Sequence, residues 1–169
     1  MDDTRFFQSQ SQPAICSCVV IGVGNTLLAD DSAGIAVVNR LRDGRLLPET
    51  VRIIDGGTIG LGLLHEIEEA DALIIIDAAE LGKPPGTVTI LTDADMDEQM
   101  YGRKRSAHEV AVADLLIAAT LMGRLAARRA LVAIQPESTR LGLVRTAAVE
   151  AAIPKACTAV RSIIEEWTS

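Results

Sequence analysis

The chain has 169 residues, a length typical of one compact domain. Apolar residues make up 49% of it, which is enough for a sizeable buried core and excludes wholesale disorder. The net charge is −7 and the only aromatic residues are two Phe, one Tyr and one Trp, so the composition disfavours binding to phosphate backbones and to stacked bases.

The cysteines and the longest apolar stretch predict where the protein acts. Three cysteines are an odd number, which favours a reducing compartment over a disulfide framework. The apolar stretch at residues 110–123 contains Asp114 and is shorter than the roughly 20 residues that span a bilayer. The polar residues 1–15 do not resemble a secretory signal. We expect a cytoplasmic protein without membrane or nucleic-acid partners, with a flexible tail at 1–15 and a single domain at 16–169.

The first half of the domain alternates between strand and helix patterns. Residues 18–24 form a continuous apolar run that ends in glycines, which predicts a strand buried on both faces. Residues 31–41 place apolar side chains on one helical face. Two further strands are predicted at 51–55 and 72–77, with a helix between them from about residue 60 to residue 69.

The second half continues this alternation. Residues 87–91 alternate after a Pro-Pro-Gly turn, which is typical of an edge strand. A long helix with a basic last turn is predicted over 108–129, followed by a strand at 130–135. The C-terminal segment has helical periodicity, with Pro154 expected in its first turn. Together these elements predict a single-domain α/β fold, a twisted, mostly parallel five-stranded sheet with helices on both faces.

Three predicted strands bring acidic residues to one edge of the sheet. The first strand leads into Asp30 and Asp31, the second ends at Asp55 and the third ends at Asp77. Ligands of open α/β sheets bind beyond the carboxyl ends of the strands. Asp30 or Asp31 could instead cap the following helix, and Asp55 could form a turn. Asp77 follows three isoleucines, where a carboxylate is costly unless it is paired, so we expect a cation, a shared proton or a basic partner there.

A histidine completes a candidate metal site. His108 lies at the start of the predicted long helix, and imidazole together with carboxylates suits Ni, Zn or Fe. Alone, a histidine at a helix start is more often a surface or capping residue. The other histidine, His65, lies among glutamates in a helix whose face is expected to be solvated.

A glycine turn after the first strand indicates a weaker alternative, a nucleotide-binding module. Gly22 and Gly24 match the beginning of a dinucleotide-binding turn, but Leu27 occupies the place of its third glycine. Asp55 also lies further along the chain than the acid that usually binds the ribose.

Five segments carry a more specific resemblance. They are GVGNTLLADD at 22–31, DGGT at 55–58, IIIDA at 74–78, SAH at 106–108 and QPE at 135–137. In their order and approximate spacing they resemble the hydrogenase maturation endopeptidases, which process the large subunit of nickel–iron hydrogenases. The resemblance spans most of the chain. It implies a twisted sheet between helices, in agreement with the pattern of elements.

The resemblance also implies a function and a site. It implies an endopeptidase that removes the C-terminal extension of a nickel–iron hydrogenase large-subunit precursor after nickel insertion. Asp31, Asp77 and His108 would contact the metal and act in catalysis, with the nickel supplied by the precursor. The residue after the histidine is often Gln in the family and is Glu109 here, which leaves the substrate preference open.

Several alternatives stay open from the residues themselves. Either Asp31 or Asp77 could activate water, or the ion could polarise the scissile carbonyl. Asp55, Gly56 and Gly57 could hold the substrate peptide or could form only a turn. A metal-sensing or chaperone protein of the same fold that does not cleave is the main alternative function. A monomer is expected, because no long apolar face is left over once the helices pack on the sheet.

Overall fold

The computed structural model describes residues 17–57, 60, 62–101 and 107–169, with the side chains of 107–111 outside that description. The tail predicted at 1–15 lies outside these residues as well. Within them the chain forms one five-stranded sheet flanked by helices, which confirms the predicted fold class. In chain order the elements are β1 (Cys18–Val23), a 3-10 turn (Ala29–Ser32), α1 (Ala33–Asp43), β2 (Arg52–Gly57), α2 (Gly62–Glu68), β3 (Ala72–Ala78), β4 (Val88–Thr92), α3 (Asp93–Tyr101), α4 (Ala107–Leu121), β5 (Arg128–Ile134) and α5 (Ala147–Thr168).

The sheet has the strand order β2-β1-β3-β5-β4. Strands β1, β2, β3 and β5 run parallel, while β4 pairs antiparallel with β5 at the edge, as its alternating pattern predicts. Strand β1 pairs with β2 on one side and with β3 on the other, and Gly22 lies opposite both Asp55 and Ile76. The direction in which strands are added therefore reverses at β1, and such a switch point opens a crevice at the carboxyl ends of β1 and β3.

Side-chain alternation divides the interior into two aliphatic layers. On one face of the sheet, Val20, Ile74 and Ile76 pack against buried residues of α1 and α5. On the other face, Val19 and Ile75 pack against buried residues of α2, α3 and α4. Because successive side chains of a strand point to opposite faces, the layer that receives each strand residue follows from its place in the sequence. The continuous apolar runs of β1 and β3 are therefore explained by helices on both sides.

The region between β4 and β5 differs from the prediction. The helix predicted over 108–129 ends at Leu121, and Gly123 then takes a left-handed φ of 67° in a turn. Arg128 already begins β5, so the basic residues do not form the last turn of the helix. Helix α3 was not predicted, because only Met96 and Met100 of its residues are buried and its pattern is correspondingly weak.

Helix α5 begins earlier than its proline suggests. Because the helix starts at Ala147, Pro154 lies inside it and not in its first turn. Proline has no N–H, so Glu150 loses the hydrogen bond that position 154 would otherwise donate to its carbonyl group. Burial of the helix along one face, including Ile153 and Val160, keeps it in place on the sheet. None of the helices in the described ranges combines the length and the hydrophobicity that crossing a bilayer requires.

Candidate active site

The turn after β1 places Asp31 over the end of that strand. Gly24 has a φ of 140°, and a Cβ atom at this position would lie 1.8 Å from the carbonyl oxygen of Asp31, so only glycine allows the chain to fold back so closely. The carboxylate of Asp31 is buried, and its Oδ2 accepts a hydrogen bond from the backbone N–H of Asn25 at 2.9 Å. This carboxylate is therefore fixed at the carboxyl end of β1.

Asp77 lies at the end of the neighbouring strand. It is the penultimate residue of β3 and its side chain is buried. The residue before it, Ile76, pairs with Gly22 of β1, and its carbonyl oxygen lies against Gly34 in the first turn of α1. Strand β3 also contacts the 3-10 turn that contains Asp31. The structure thus brings Asp31 and Asp77 to adjacent strand ends at the switch point of the sheet.

The face of β3 that carries Asp77 is the one covered by α4. Alternation places Asp77 on the same face as Ile75, whose side chain packs in the layer of α4. A short connection leads from the end of α4 into β5, so the helix runs back across the sheet and its first turn lies toward the carboxyl ends of the strands. His108 belongs to that first turn, but its side chain lies outside the described residues. Its role in the site stays a prediction.

The described side chains contain no group of three His, Cys, Asp or Glu residues arranged to hold a metal ion. This finding does not include His108. The carboxylates of Asp31 and Asp77 are the two described members of the predicted trio, and their oxygen atoms suit hard and borderline divalent ions.

Asp30 has a structural role that differs from the predicted one. Its carboxylate is fully buried and accepts hydrogen bonds from the backbone N–H groups of Glu137 (2.9 Å), Ser138 (2.9 Å) and Thr146 (2.6 Å) and from the hydroxyl group of Thr146 (3.0 Å). Burial alone would raise the pKa of Asp30, but these hydrogen bonds outweigh it and hold the pKa below its ordinary value. The alternative that Asp30 or Asp31 caps the helix that follows is excluded, since neither the 3-10 turn nor α1 has a side-chain cap.

The hydrogen bonds of Asp30 fix residues 137–146, which we call the crossing loop. This loop passes over the turn between β1 and α1, where Gly142 donates its N–H to the carbonyl oxygen of Leu27 at 2.9 Å. Near its end, Arg145 donates to the hydroxyl oxygen of Ser32 at 3.2 Å. The loop is therefore bonded to both chain neighbours of Asp31. Sequence patterns did not indicate this arrangement, because its main contacts are backbone groups far apart in the chain.

The QPE segment just before the crossing loop also has a structural role. Gln135 is buried, and its Oε1 accepts hydrogen bonds from the backbone N–H groups of Leu81 at 2.7 Å and Lys83 at 3.3 Å. Its Nε2 donates to Glu80 at 3.2 Å and to the carbonyl oxygen of Pro136 at 3.1 Å. One amide side chain thus joins the end of β5 to the chain that follows β3.

The Asp-Gly-Gly segment forms a turn at the end of β2. Asp55 is exposed, and its Oδ1 accepts the N–H of Gly57 at 3.0 Å, as in an Asx turn. The carbonyl oxygen of Gly57 in turn accepts the N–H of Gly24 at 3.0 Å. Alternation places Asp55 on the face of the sheet opposite to Asp77. These contacts explain Asp55 as a turn residue; binding of substrate by Asp55, Gly56 and Gly57 stays a prediction.

The turn between β1 and α1 is poorly suited to a nucleotide. In dinucleotide-binding folds this turn and the following helix N-terminus receive a pyrophosphate. Here the same place contains the buried carboxylates of Asp30 and Asp31, which would repel phosphate. Fold and site therefore define an α/β protein with an acidic crevice at the switch point, a class distinct from the nucleotide-binding modules.

Comparison with known proteins identifies the family within that class. A profile described as hydrogenase maturation protease matches residues 35–163. The chain is 38% identical over 149 residues to the hydrogenase 2 maturation protease of Escherichia coli (strain K12), covering 88% of this chain and 90% of that protein. The solved structure of the hydrogenase maturating endopeptidase HybD from Escherichia coli matches with a TM-score of 0.81 and 36% identity, over 88% of this chain and 92% of that one. The chain belongs to the hydrogenase maturation protease family, a family of peptidases, which confirms the resemblance seen in its sequence.

Some relatives are longer than this chain. The chain is 42% identical over 118 residues to the hydrogenase expression/formation protein HupD of Rhodobacter capsulatus, which covers 70% of this chain and 56% of HupD. For these longer relatives the chain thus matches little more than half of the length.

Proposed function

We propose that this chain is an endopeptidase that removes the C-terminal extension of a nickel–iron hydrogenase large-subunit precursor after nickel has been inserted. The observation that carries the proposal is the pair of buried aspartates, Asp31 and Asp77, at adjacent strand ends of the switch-point crevice. The same arrangement of elements occurs in a hydrogenase maturating endopeptidase that matches over most of both chains. The cysteine content further supports action in the reducing cytoplasm.

The nickel ion of the precursor serves in this proposal as the element that the enzyme recognises. Two buried carboxylates close to one another repel, and a divalent cation removes that repulsion. Asp31, Asp77 and His108 would complete a coordination sphere that the precursor begins. The loaded precursor would therefore dock more tightly than the empty one. A difference of about 3 kcal/mol in binding already discriminates between the two more than a hundredfold.

Cleavage requires an activated water molecule at the scissile peptide bond. A base removes a proton as the water oxygen adds to the carbonyl carbon, and the leaving nitrogen takes up a proton as the C–N bond breaks. Asp31 and Asp77 are the described groups able to accept that proton, and a bound ion could instead polarise the carbonyl group.

The test is processing of a matched large-subunit precursor, in its nickel-loaded and nickel-free forms, followed by intact mass. We expect the loss of a single C-terminal peptide from the loaded form alone. Cleavage of both forms would support the peptidase and contradict the recognition of nickel. Absence of cleavage together with a nickel-dependent complex would overturn the proposal in favour of a protein that binds the precursor without cutting it.

A further inference from the structure

Four large apolar side chains are exposed next to the active-site turn. Leu27 is 55% exposed, and on the crossing loop Leu141, Leu143 and Val144 are 84%, 75% and 81% exposed. We call these four residues the apolar patch. The hydrogen bond from Gly142 to the carbonyl oxygen of Leu27 joins the two segments that carry them. Such a concentration of exposed leucine and valine on two bonded segments is typical of an interaction surface.

The backbone that presents the apolar patch is held at several points. The buried carboxylate of Asp30 binds the beginning of the crossing loop through Ser138 and its end through Thr146. In the middle, Gly142 also accepts the N–H of Ala29 at 2.7 Å. The exposure of the four side chains is therefore a fixed property of the folded chain. A surface ordered in advance loses little conformational entropy when a partner binds.

The apolar patch is continuous with the crevice. Leu27 belongs to the same turn as Asp31, and the crossing loop is bonded to Asp30 and Ser32 on either side of that aspartate. A substrate bound with its scissile bond at Asp31 would therefore lie beside the patch.

We propose that the apolar patch docks an apolar segment of the hydrogenase large-subunit precursor that lies next to the scissile bond. This inference rests on the proposed function and assigns to Leu27, Leu141, Leu143 and Val144 the binding of the substrate outside the catalytic centre. The patch contributes affinity and the crevice performs the chemistry. Its loss should therefore raise KM and leave kcat nearly unchanged.

The experiment compares patch variants with a matched pair of substitutions elsewhere. The variants are Leu141→Ser, Leu143→Ser and their combination, assayed with the nickel-loaded precursor. The control is Leu121→Ser with Met122→Ser at the end of α4, where the side chains are similarly exposed (83% and 59%) but lie far along the chain from the crevice turn. We expect KM to rise about tenfold for each leucine of the patch. The control should keep the KM of the unmodified chain, and thermal melting should be the same for all variants.

The outcomes separate this inference from the proposed function. If the unmodified chain does not cleave the loaded precursor, the proposed function fails before the patch is tested. If it cleaves and the patch variants keep their KM, the inference is wrong. A fall in kcat at constant KM would also overturn it, because the loop would then act only by positioning Asp31. Sedimentation that shows a dimer of the unmodified chain, dissociated by the patch substitutions, would assign the surface to a second copy instead. The conservative variants Leu141→Met and Leu143→Met keep an apolar side chain at each position, so they should retain the KM of the unmodified chain.

Discussion

Gly34 in the first turn of α1 lies directly against the carbonyl oxygen of Ile76 in β3. A Cβ atom at Gly34 would be 2.2 Å from that oxygen and 2.4 Å from the carbonyl oxygen of Val23. The absence of a side chain lets α1 approach the ends of two strands at once. This contact lies between the helix that follows the turn of Asp31 and the strand that carries Asp77.

Substitution of Gly34 by Ala should therefore destabilise the fold. Both neighbours of the new methyl group are backbone atoms, so α1 has to move away from the sheet, and we expect a loss of about 3 kcal/mol in the free energy of unfolding. Gly62→Ala in α2 is the control, because a Cβ atom there meets nothing within 4 Å. Urea denaturation measures the free energy of unfolding of both variants. Equal values would show that the close contact between Gly34 and the strand ends does not stabilise the fold.

Asp31→Asn and Asp77→Asn should each abolish most of the processing activity. Either substitution keeps the size of the side chain but removes a negative charge and a possible base from the crevice. We expect kcat/KM for the loaded precursor to fall at least about 100-fold, with the far-UV circular dichroism unchanged. Asp95→Asn, on the exposed side of α3, is the matched control and should retain full activity. Full activity of either crevice variant would remove that aspartate from the site.

His108→Ala tests the member of the trio whose side chain lies outside the described residues. If its imidazole joins the two aspartates at the metal, processing should be lost while the fold is retained. The other histidine, His65, is exposed on α2, and His65→Ala should process the precursor normally. Circular dichroism reports whether the fold is retained, and intact mass reports whether the precursor is cleaved. Unchanged cleavage by the His108 variant would exclude the predicted role.

Asp30→Asn should change stability in a pH-dependent way. Its carboxylate accepts four hydrogen bonds, and an amide group replaces one acceptor atom by a donor, so we expect a loss of about 2 kcal/mol at pH 7. The folded state lowers the pKa of Asp30, so the stabilisation is complete above its unfolded value of about 4 and is lost as the pH falls through the folded pKa.

The difference in unfolding free energy between the unmodified chain and Asp30→Asn should accordingly shrink below about pH 4. Asp95→Asn serves as the control. Its free energy of unfolding should differ from that of the unmodified chain by less than about 0.5 kcal/mol, both at pH 7 and at about pH 3. A difference that stays constant from pH 7 to pH 3 would show that the charge of Asp30 does not stabilise the fold.

Ala29→Gly should stabilise the protein slightly. Ala29 has a φ of 41°, a left-handed conformation that is unfavourable for a residue with a Cβ atom by roughly 1–2 kcal/mol. Glycine removes that strain but adds freedom to the unfolded chain, which leaves a gain of up to about 1 kcal/mol. Ala33→Gly, at a helical φ of −61°, should instead destabilise by about 1 kcal/mol. Thermal unfolding distinguishes the two, and a lower melting temperature for Ala29→Gly would contradict the strain argument.

The strands and the aspartates that follow or end them could be predicted from the sequence, because both depend on the pattern of apolar residues within a short stretch of chain. Strand β1 leads directly into Gly24 and β3 carries Asp77 as its penultimate residue, and parallel pairing of the two strands brings these positions to one edge of the sheet. The end of α4 was predicted too late although Gly123 marks it, because glycine is favoured in the left-handed conformation that directly follows a helix. Apolar residues continue beyond Gly123, and they extended the predicted helix. The role of Asp30 could not be predicted. Its partners lie more than 100 residues away and are mostly backbone N–H groups, which no side-chain pattern reveals.

The way in which Asp30 holds the crossing loop has a consequence for substitutions in the loop. Its carboxylate binds the main chain of Glu137, Ser138 and Thr146, and only the hydroxyl group of Thr146 depends on residue type. The outward side chains of the loop can consequently be exchanged without altering the bonds that anchor it. Substitution of these side chains can therefore change what the loop contacts while the buried aspartates behind it keep their positions.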